Sequence, residues 1–96
     1  MLFRSLEVRR NDPARRYELV SDEGELIGLI DYRVTESTID LFHAETNPAH
    51  GGNGYGSLLV EGALDDIRER GGLTVRPSCP FISDFFGKHP EYADLL

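Results

Sequence analysis

The sequence holds a single cysteine, Cys79. One thiol cannot form an internal disulfide, and it is too few for a cysteine-based zinc site. The three histidines are scattered among carboxylates without ligand spacing, so no metal is expected. Long apolar runs are missing too. Nothing approaches a membrane-spanning length, and the opening Met1–Arg10 interrupts its apolar residues with charge too often to form the core of a signal peptide. These absences predict a cytoplasmic protein with no membrane partner. No stretch is low in complexity or repeated at a fixed period. With 96 residues there is no spare mass for a second lobe. A chain of this size buries only about two-thirds of the surface it exposes when unfolded, so residues 1–96 are expected to form a single domain around one core.

Positive charge is also in short supply. The net charge of −7 argues against a general nucleic-acid binder, which derives most of its affinity from neutralising phosphates with Lys and Arg. The charge is unevenly spread. Residues 1–16 carry five Arg (positions 4, 9, 10, 15 and 16) against Glu7 and Asp12, a local balance of +3 that leaves −10 for the rest. This concentration fits a charge-protected edge strand.

What the sequence does contain is a change of period. Four segments read as strands: Leu2 to Arg10, Arg16 to Val20, Leu26 to Val34 and Thr38 to Thr46. They are separated by turn residues at Asn11–Ala14, Ser21–Gly24 and Thr35–Ser37, and links this short imply an antiparallel meander. After Asn47-Pro48 the period becomes helical from Tyr55. Leu59, Val60, Ala63, Leu64 and Ile67 fall on one side, and Gly71-Gly72 supplies the stop. Leu73-Thr74-Val75 then reads as a short buried strand reached through that helix, hence parallel to its neighbour. A second helix is expected after Pro77, with Ser78 as its cap, Pro80 in its first turn, apolar Phe81, Ile82, Phe85 and Phe86, and Gly87 at its end. His89-Pro90 restarts a short helical turn. The fold class is α/β, of mixed α+β type: a four-stranded meander, then β-loop-α-β with a parallel fifth strand and short C-terminal helices.

Between the fourth strand and the first helix lie four glycines, Gly51, Gly52, Gly54 and Gly56. A glycine-rich loop at a helix start presents unhindered backbone N–H groups at the positive end of the helix dipole, which suits a phosphate. The P-loop pattern fails, because Gly56 is followed by Ser57-Leu58 and no lysine is placed to reach terminal phosphates. The dinucleotide pattern G-x-G-x-x-G fails as well: its last glycine would fall on Ser57 or Leu59.

The segment Gly51-Gly52-Asn53-Gly54-Tyr55-Gly56-Ser57-Leu58-Leu59-Val60 resembles the coenzyme A pyrophosphate loop of GNAT N-acetyltransferases, usually Q/R-x-x-G-x-G/A ahead of a helix. Leu41-Phe42-His43-Ala44-Glu45-Thr46, Val75-Arg76-Pro77-Ser78-Cys79-Pro80-Phe81 and His89-Pro90-Glu91-Tyr92 are similar, in the same order, to segments of the short GNAT-like family named for bacterial YjdJ. The resemblance covers nearly the whole chain and implies a minimal GNAT fold. It also implies acetyl-CoA as the bound group, with Gly51, Gly52, Asn53, Gly54, Tyr55, Gly56 and Ser57 around the coenzyme A pyrophosphate and the pantetheine arm between the fourth and fifth strands. Position 51 departs from the pattern, since Gly replaces the usual Gln or Arg, and weaker binding is expected.

Three residues are candidates for chemistry. Cys79, in the first turn of the second helix and three residues after Arg76, could be a thiolate nucleophile that accepts the acetyl group, or simply a packed small hydrophobe. By strict alternation His43 falls on the face of Ile39 and Leu41, where a neutral imidazole could act as general base, though a lone His on an apolar face is also a common core residue. Glu45 shares that face as an alternative base, and Tyr92 is a more distant candidate for the acid. His50 and His89 are expected in turns or at the surface. The expected function is acetyl transfer to an unidentified amine or protein acceptor, with a non-catalytic acyl-CoA-binding module as the alternative. The tight turn between the first two strands leaves little material for an acceptor pocket, so that pocket is shallow, absent, or completed by a partner subunit such as a second copy of the chain.

Overall fold

A computed structural model describes residues 6–50 and 54–96, with backbone only at His50. Strands β1 (Leu6–Asn11), β2 (Arg16–Ser21), β3 (Leu26–Thr35) and β4 (Thr38–Thr46) form the meander. A short 3₁₀ turn at Pro48–His50 leads toward α1 (Tyr55–Arg70), followed by β5 (Thr74–Arg76), α2 (Pro80–Lys88) and a terminal 3₁₀ segment, Pro90–Leu95. The sheet order is β1-β2-β3-β4-β5, antiparallel as far as β4, with β5 parallel to β4. The mixed α/β architecture is the one expected from the change of period.

Turn chemistry explains the meander. The Asn11 side-chain oxygen accepts from the Ala14 N–H at 3.2 Å, and the Arg15 N–H donates to the Asp12 carbonyl at 3.0 Å. Arg15 itself adopts φ +56°, a conformation costly for a residue with a Cβ. Its carbonyl then accepts from the Tyr32 N–H at 3.0 Å, pinning the turn against β3. At the next turn Gly24 takes φ +84° and donates to the Ser21 carbonyl.

The five residues at helical spacing, Leu59, Val60, Ala63, Leu64 and Ile67, are all buried against one face of the sheet with Tyr17, Leu19, Ile30, Tyr32, Ile39 and Leu41. On the same helix Gly62 passes so close to β1 that an added Cβ would lie 2.5 Å from Val8 Cγ2. Two neighbouring acids on α1 each hold a buried phenol. The Tyr17 hydroxyl donates to Asp66 at 2.7 Å, tying the sheet to the helix, and the Tyr92 hydroxyl donates to Asp65 at 2.8 Å, tying down the C-terminus.

Helix α2 differs from expectation at both ends. Its N-cap is Cys79 rather than Ser78, because the Cys79 N–H is already engaged with the Leu41 carbonyl at 3.0 Å while its own carbonyl accepts from Ile82 and Ser83. Pro80 occupies the first helical position as expected. The helix runs one residue past Gly87. Ile82, Phe85 and Phe86 are buried, whereas Phe81 is 47% exposed.

Two irregularities break the strand alternation. In β3, Leu19 of β2 faces Gly28 and Val20 faces Leu26, so Ile27 is an extra residue. In β4, Asp31 faces His43 and Tyr32 faces Leu41, so Phe42 is extra. A bulge of this kind puts two residues opposite one and shifts side-chain parity beyond it. Before Phe42 the inward residues are Ile39 and Leu41; after it, His43 and Glu45 are exposed and Ala44 and Thr46 turn inward.

Candidate active site

The β4 bulge organises the site. Strand β5 pairs with β4 only at Thr38, Ile39 and Asp40, after which the Cys79 N–H bond to Leu41 is the last backbone link between them. Among the described residues the remainder of β4 has no strand on that side. Here a channel of about 210 Å³ opens, lined by Ile30 of β3, Ala44, Glu45 and Thr46 of β4, Gly56, Leu59 and Val60 of α1, and Phe81 of α2. The inward turn of Ala44 and Thr46 gives it small side chains as a wall. Gly56 passes close to Phe81: a Cβ there would come within 2.9 Å of the ring tip, so the half-exposed ring would have to shift.

At the mouth of the channel α1 begins. Its N-cap is Gly54, in the left-handed conformation at φ +72°, with no side-chain cap and no acid in the first turn. The first-turn N–H groups, those of Gly56 and Ser57 among them, have no acceptor within the helix and stand at its positive end. Of the expected coenzyme-binding residues, Gly54, Tyr55, Gly56 and Ser57 are thus collected at one helix start, and Gly56 also lines the channel. Gly51, Gly52 and Asn53 lie outside the described residues.

Of the catalytic candidates, His43 and Glu45 are brought together and Cys79 is not. His43 does not share the face of Ile39 and Leu41, because the bulge turns it to the opposite, helix-free face. There its Nε2 lies 2.8 Å from a Glu45 carboxylate oxygen, with both side chains about half exposed. This hydrogen bond, and to a lesser degree the charges of Glu45 and Asp31, hold the imidazole pKa above its ordinary value. Cys79 is buried in the core cluster on the helix side and does not line this channel. No hydrogen bond joins it to His43.

The family model described as GCN5-related N-acetyl-transferase matches residues 16–95. The chain belongs to the GCN5-related N-acetyltransferase family. The solution NMR structure of a GCN5-like protein from Staphylococcus aureus superposes with a TM-score of 0.69 at 26% identity, covering 94% of this chain and 86% of that one. No curated protein matches the chain. The parting of β4 from β5 beside the α1 start thus occurs within a GCN5-related domain.

Other parts of this GCN5-related domain depart from the sequence expectations. Tyr92 is no acid at the channel: it is buried, and burial together with its bond to Asp65 pushes its pKa up to about 12. His89 is a structural residue, stacked on Phe85 at 3.8 Å between ring centroids, with Nδ1 2.9 Å from the Phe85 carbonyl. Phe81, expected only as one of the apolar residues of the second helix, lines the channel; its place at the second position of a helix capped by Cys79 was the available signal. Periodicity gave no hint of a second, open cleft of about 500 Å³ where the β1–β2 turn meets β3 and Phe42. At its edge Arg10 lies 4.8 Å from the centre of the Tyr32 ring, and its guanidinium bonds Asp12 and the Tyr32 hydroxyl. Burial disfavours that charge, but the two hydrogen bonds outweigh it and raise the Arg10 pKa. Among the described residues no group of His, Cys, Asp and Glu is arranged to hold a metal.

Proposed function

We propose that this domain is an acetyl-coenzyme-A-dependent N-acetyltransferase, acting in the cytoplasm on an amine acceptor. The observation that carries this reading is the channel beside β4, opening directly onto the start of α1, whose N-cap is Gly54. A narrow apolar slot next to a phosphate-friendly helix terminus suits a long thioester arm ending in a pyrophosphate. The Gly52–Gly56 backbone would hold the pyrophosphate, Ala44 and Thr46 would flank the pantetheine arm, and Phe81 would cover it.

The geometry favours direct transfer over a relay through Cys79. A relay needs a thiolate open to the thioester, and Cys79 is a packed core side chain. His43, held by Glu45 on the exposed face, is the better proton acceptor once deprotonated. The separation of Cys79 and His43 onto opposite sides of β4 also keeps a second reading alive, a non-catalytic acyl-CoA-binding module that retains the channel alone.

Incubation with acetyl-CoA, followed by intact-mass measurement of wild type and Cys79→Ala, separates these readings. Binding without an acetyl adduct on either protein, with thiol release once amines are added, supports direct transfer. An adduct on wild type alone supports the Cys79 relay. Binding with no turnover on any amine supports the module, and no binding at all removes the coenzyme A assignment.

A further inference from the structure

We infer that the acceptor is a small amine carrying a carboxylate, held in the open cleft beside the β1–β2 turn by Arg15, Arg33 and Asp31. The inference rests on the acetyltransferase reading above. The cleft, of about 500 Å³, is on the scale of a small-ligand site. It reaches Phe42, the bulge residue, one position before His43.

Its charges divide into committed and uncommitted groups. Arg10 is taken up by Asp12 and the Tyr32 hydroxyl. Arg15, Arg33 and Asp31 are left. Arg15 makes no ion pair among the described residues, yet its backbone is pinned at both ends by hydrogen bonds to Asp12 and Tyr32. Arg33 lies over the Phe42 ring at 5.1 Å and likewise has no carboxylate partner. Asp31 has no hydrogen bond or ion pair among the described residues, and its cross-strand neighbour is His43.

Two uncommitted guanidiniums and one uncommitted carboxylate complement a molecule with an anionic end and a cationic end. Arginine binds carboxylates through paired, charge-assisted hydrogen bonds, so the guanidiniums take the anion and Asp31 takes the ammonium. Asp31 and Arg33 are two residues apart on one face of β3, a rise of about 6.6 Å. That spacing fits an amine and a carboxylate separated by several carbons better than the adjacent pair of glycine. The polarity is also productive. The ammonium end sits on the His43 side, where it gives one proton to the neutral imidazole. The freed nitrogen then forms the N–C bond to the acetyl carbon as the C–S bond breaks, and its second proton leaves with coenzyme A as the thiol.

The test measures coenzyme A affinity by calorimetry for wild type, Arg15→Gln and Arg33→Gln. It then measures release of free coenzyme A thiol, against an amine-free control, with 4-aminobutyrate, glutamate, glycine, butylamine and spermidine. The expected kcat/KM for 4-aminobutyrate or glutamate exceeds that for butylamine by about tenfold or more, and each Arg variant lowers this ratio by about tenfold with unchanged coenzyme A affinity. Equal or better use of butylamine or spermidine overturns the proposal, as does a ratio that ignores both substitutions. Coenzyme A binding without acetylation of any amine overturns it too, while leaving the donor channel assigned. Failure to bind coenzyme A removes the transferase reading itself and this proposal with it.

Discussion

Replacing Gly62 by alanine sets two effects of opposite sign against each other. In the interior of a helix alanine is favoured over glycine by about 1 kcal/mol, so local propensity alone predicts a more stable protein. Against this, the new Cβ would lie 2.5 Å from Val8 Cγ2 and 2.7 Å from Val8 Cβ. A methyl at the end of a long side chain could swing aside, but the Val8 Cβ is fixed to the β1 backbone. The helix or the strand must therefore move, and overpacking of this kind costs about 1–3 kcal/mol. With the rigid neighbour placing the cost in the upper part of that range, the net expectation is a loss of about 1–2 kcal/mol. For a domain of this size that lowers the melting temperature by about 4–16 °C. Thermal and denaturant unfolding followed by circular dichroism measures it, and Val8→Ala in the same chain should recover part of the loss as a coupling between neighbours. A Gly62→Ala protein that melts at the same or a higher temperature refutes the claim that α1 and β1 are in contact through this glycine.

Other perturbations read the site and its supports. Phe81→Ala should weaken coenzyme A binding by calorimetry while barely changing the melting temperature, because the half-exposed ring covers the channel and contributes little to the core. Glu45→Gln should lower the His43 pKa, since the Glu45 hydrogen bond is the main cause of its elevation; an NMR titration of the ring protons reports the shift. In wild type the stabilisation from this pair is complete below the ordinary histidine pKa and is lost as pH rises through the elevated one, and any transfer using His43 as base should accelerate over that same rise. Tyr17→Phe removes the hydroxyl that joins β2 to Asp66 and should cost about 1.5–3 kcal/mol in denaturant unfolding, as expected for a hydrogen bond to a charged acceptor.

The sequence was most informative where one local rule acts alone. The limits of β4 at Thr38 and Thr46, the start of α1 at Tyr55 and its five buried residues follow from turn residues, glycines and a 3.6-residue period. The face of His43 did not follow. Alternation assigns a face by counting, and the count is reset by a bulge whose position depends on how β3 and β4 register against each other. Phe42 carries no mark of its own, since nothing local distinguishes an extra residue from a paired one. The role of Phe81 was hidden for a similar reason: an apolar residue early in a helix reads as core, and only the packing of α2 beside Gly56 makes it a cover for the channel. The cleft beside the β1–β2 turn was illegible because it is assembled from a turn, a strand and a bulge distant in the chain. What made it readable in three dimensions was which of its charges already had partners.

The bulge at Phe42 also makes the site depend on the reading of a single codon. Remove that one residue and the strand could still pair along its length, but His43 and Glu45 would be driven beneath α1 and Ala44 and Thr46 would be expelled from the channel wall. The channel wall and the exposed His43–Glu45 pair would vanish together in one step. By the same logic, a plain meander strand that gains one residue at this point acquires both at once. A strand of this kind thus has an economical evolutionary route into and out of this arrangement, by in-frame insertion or deletion rather than by the gradual exchange of side chains.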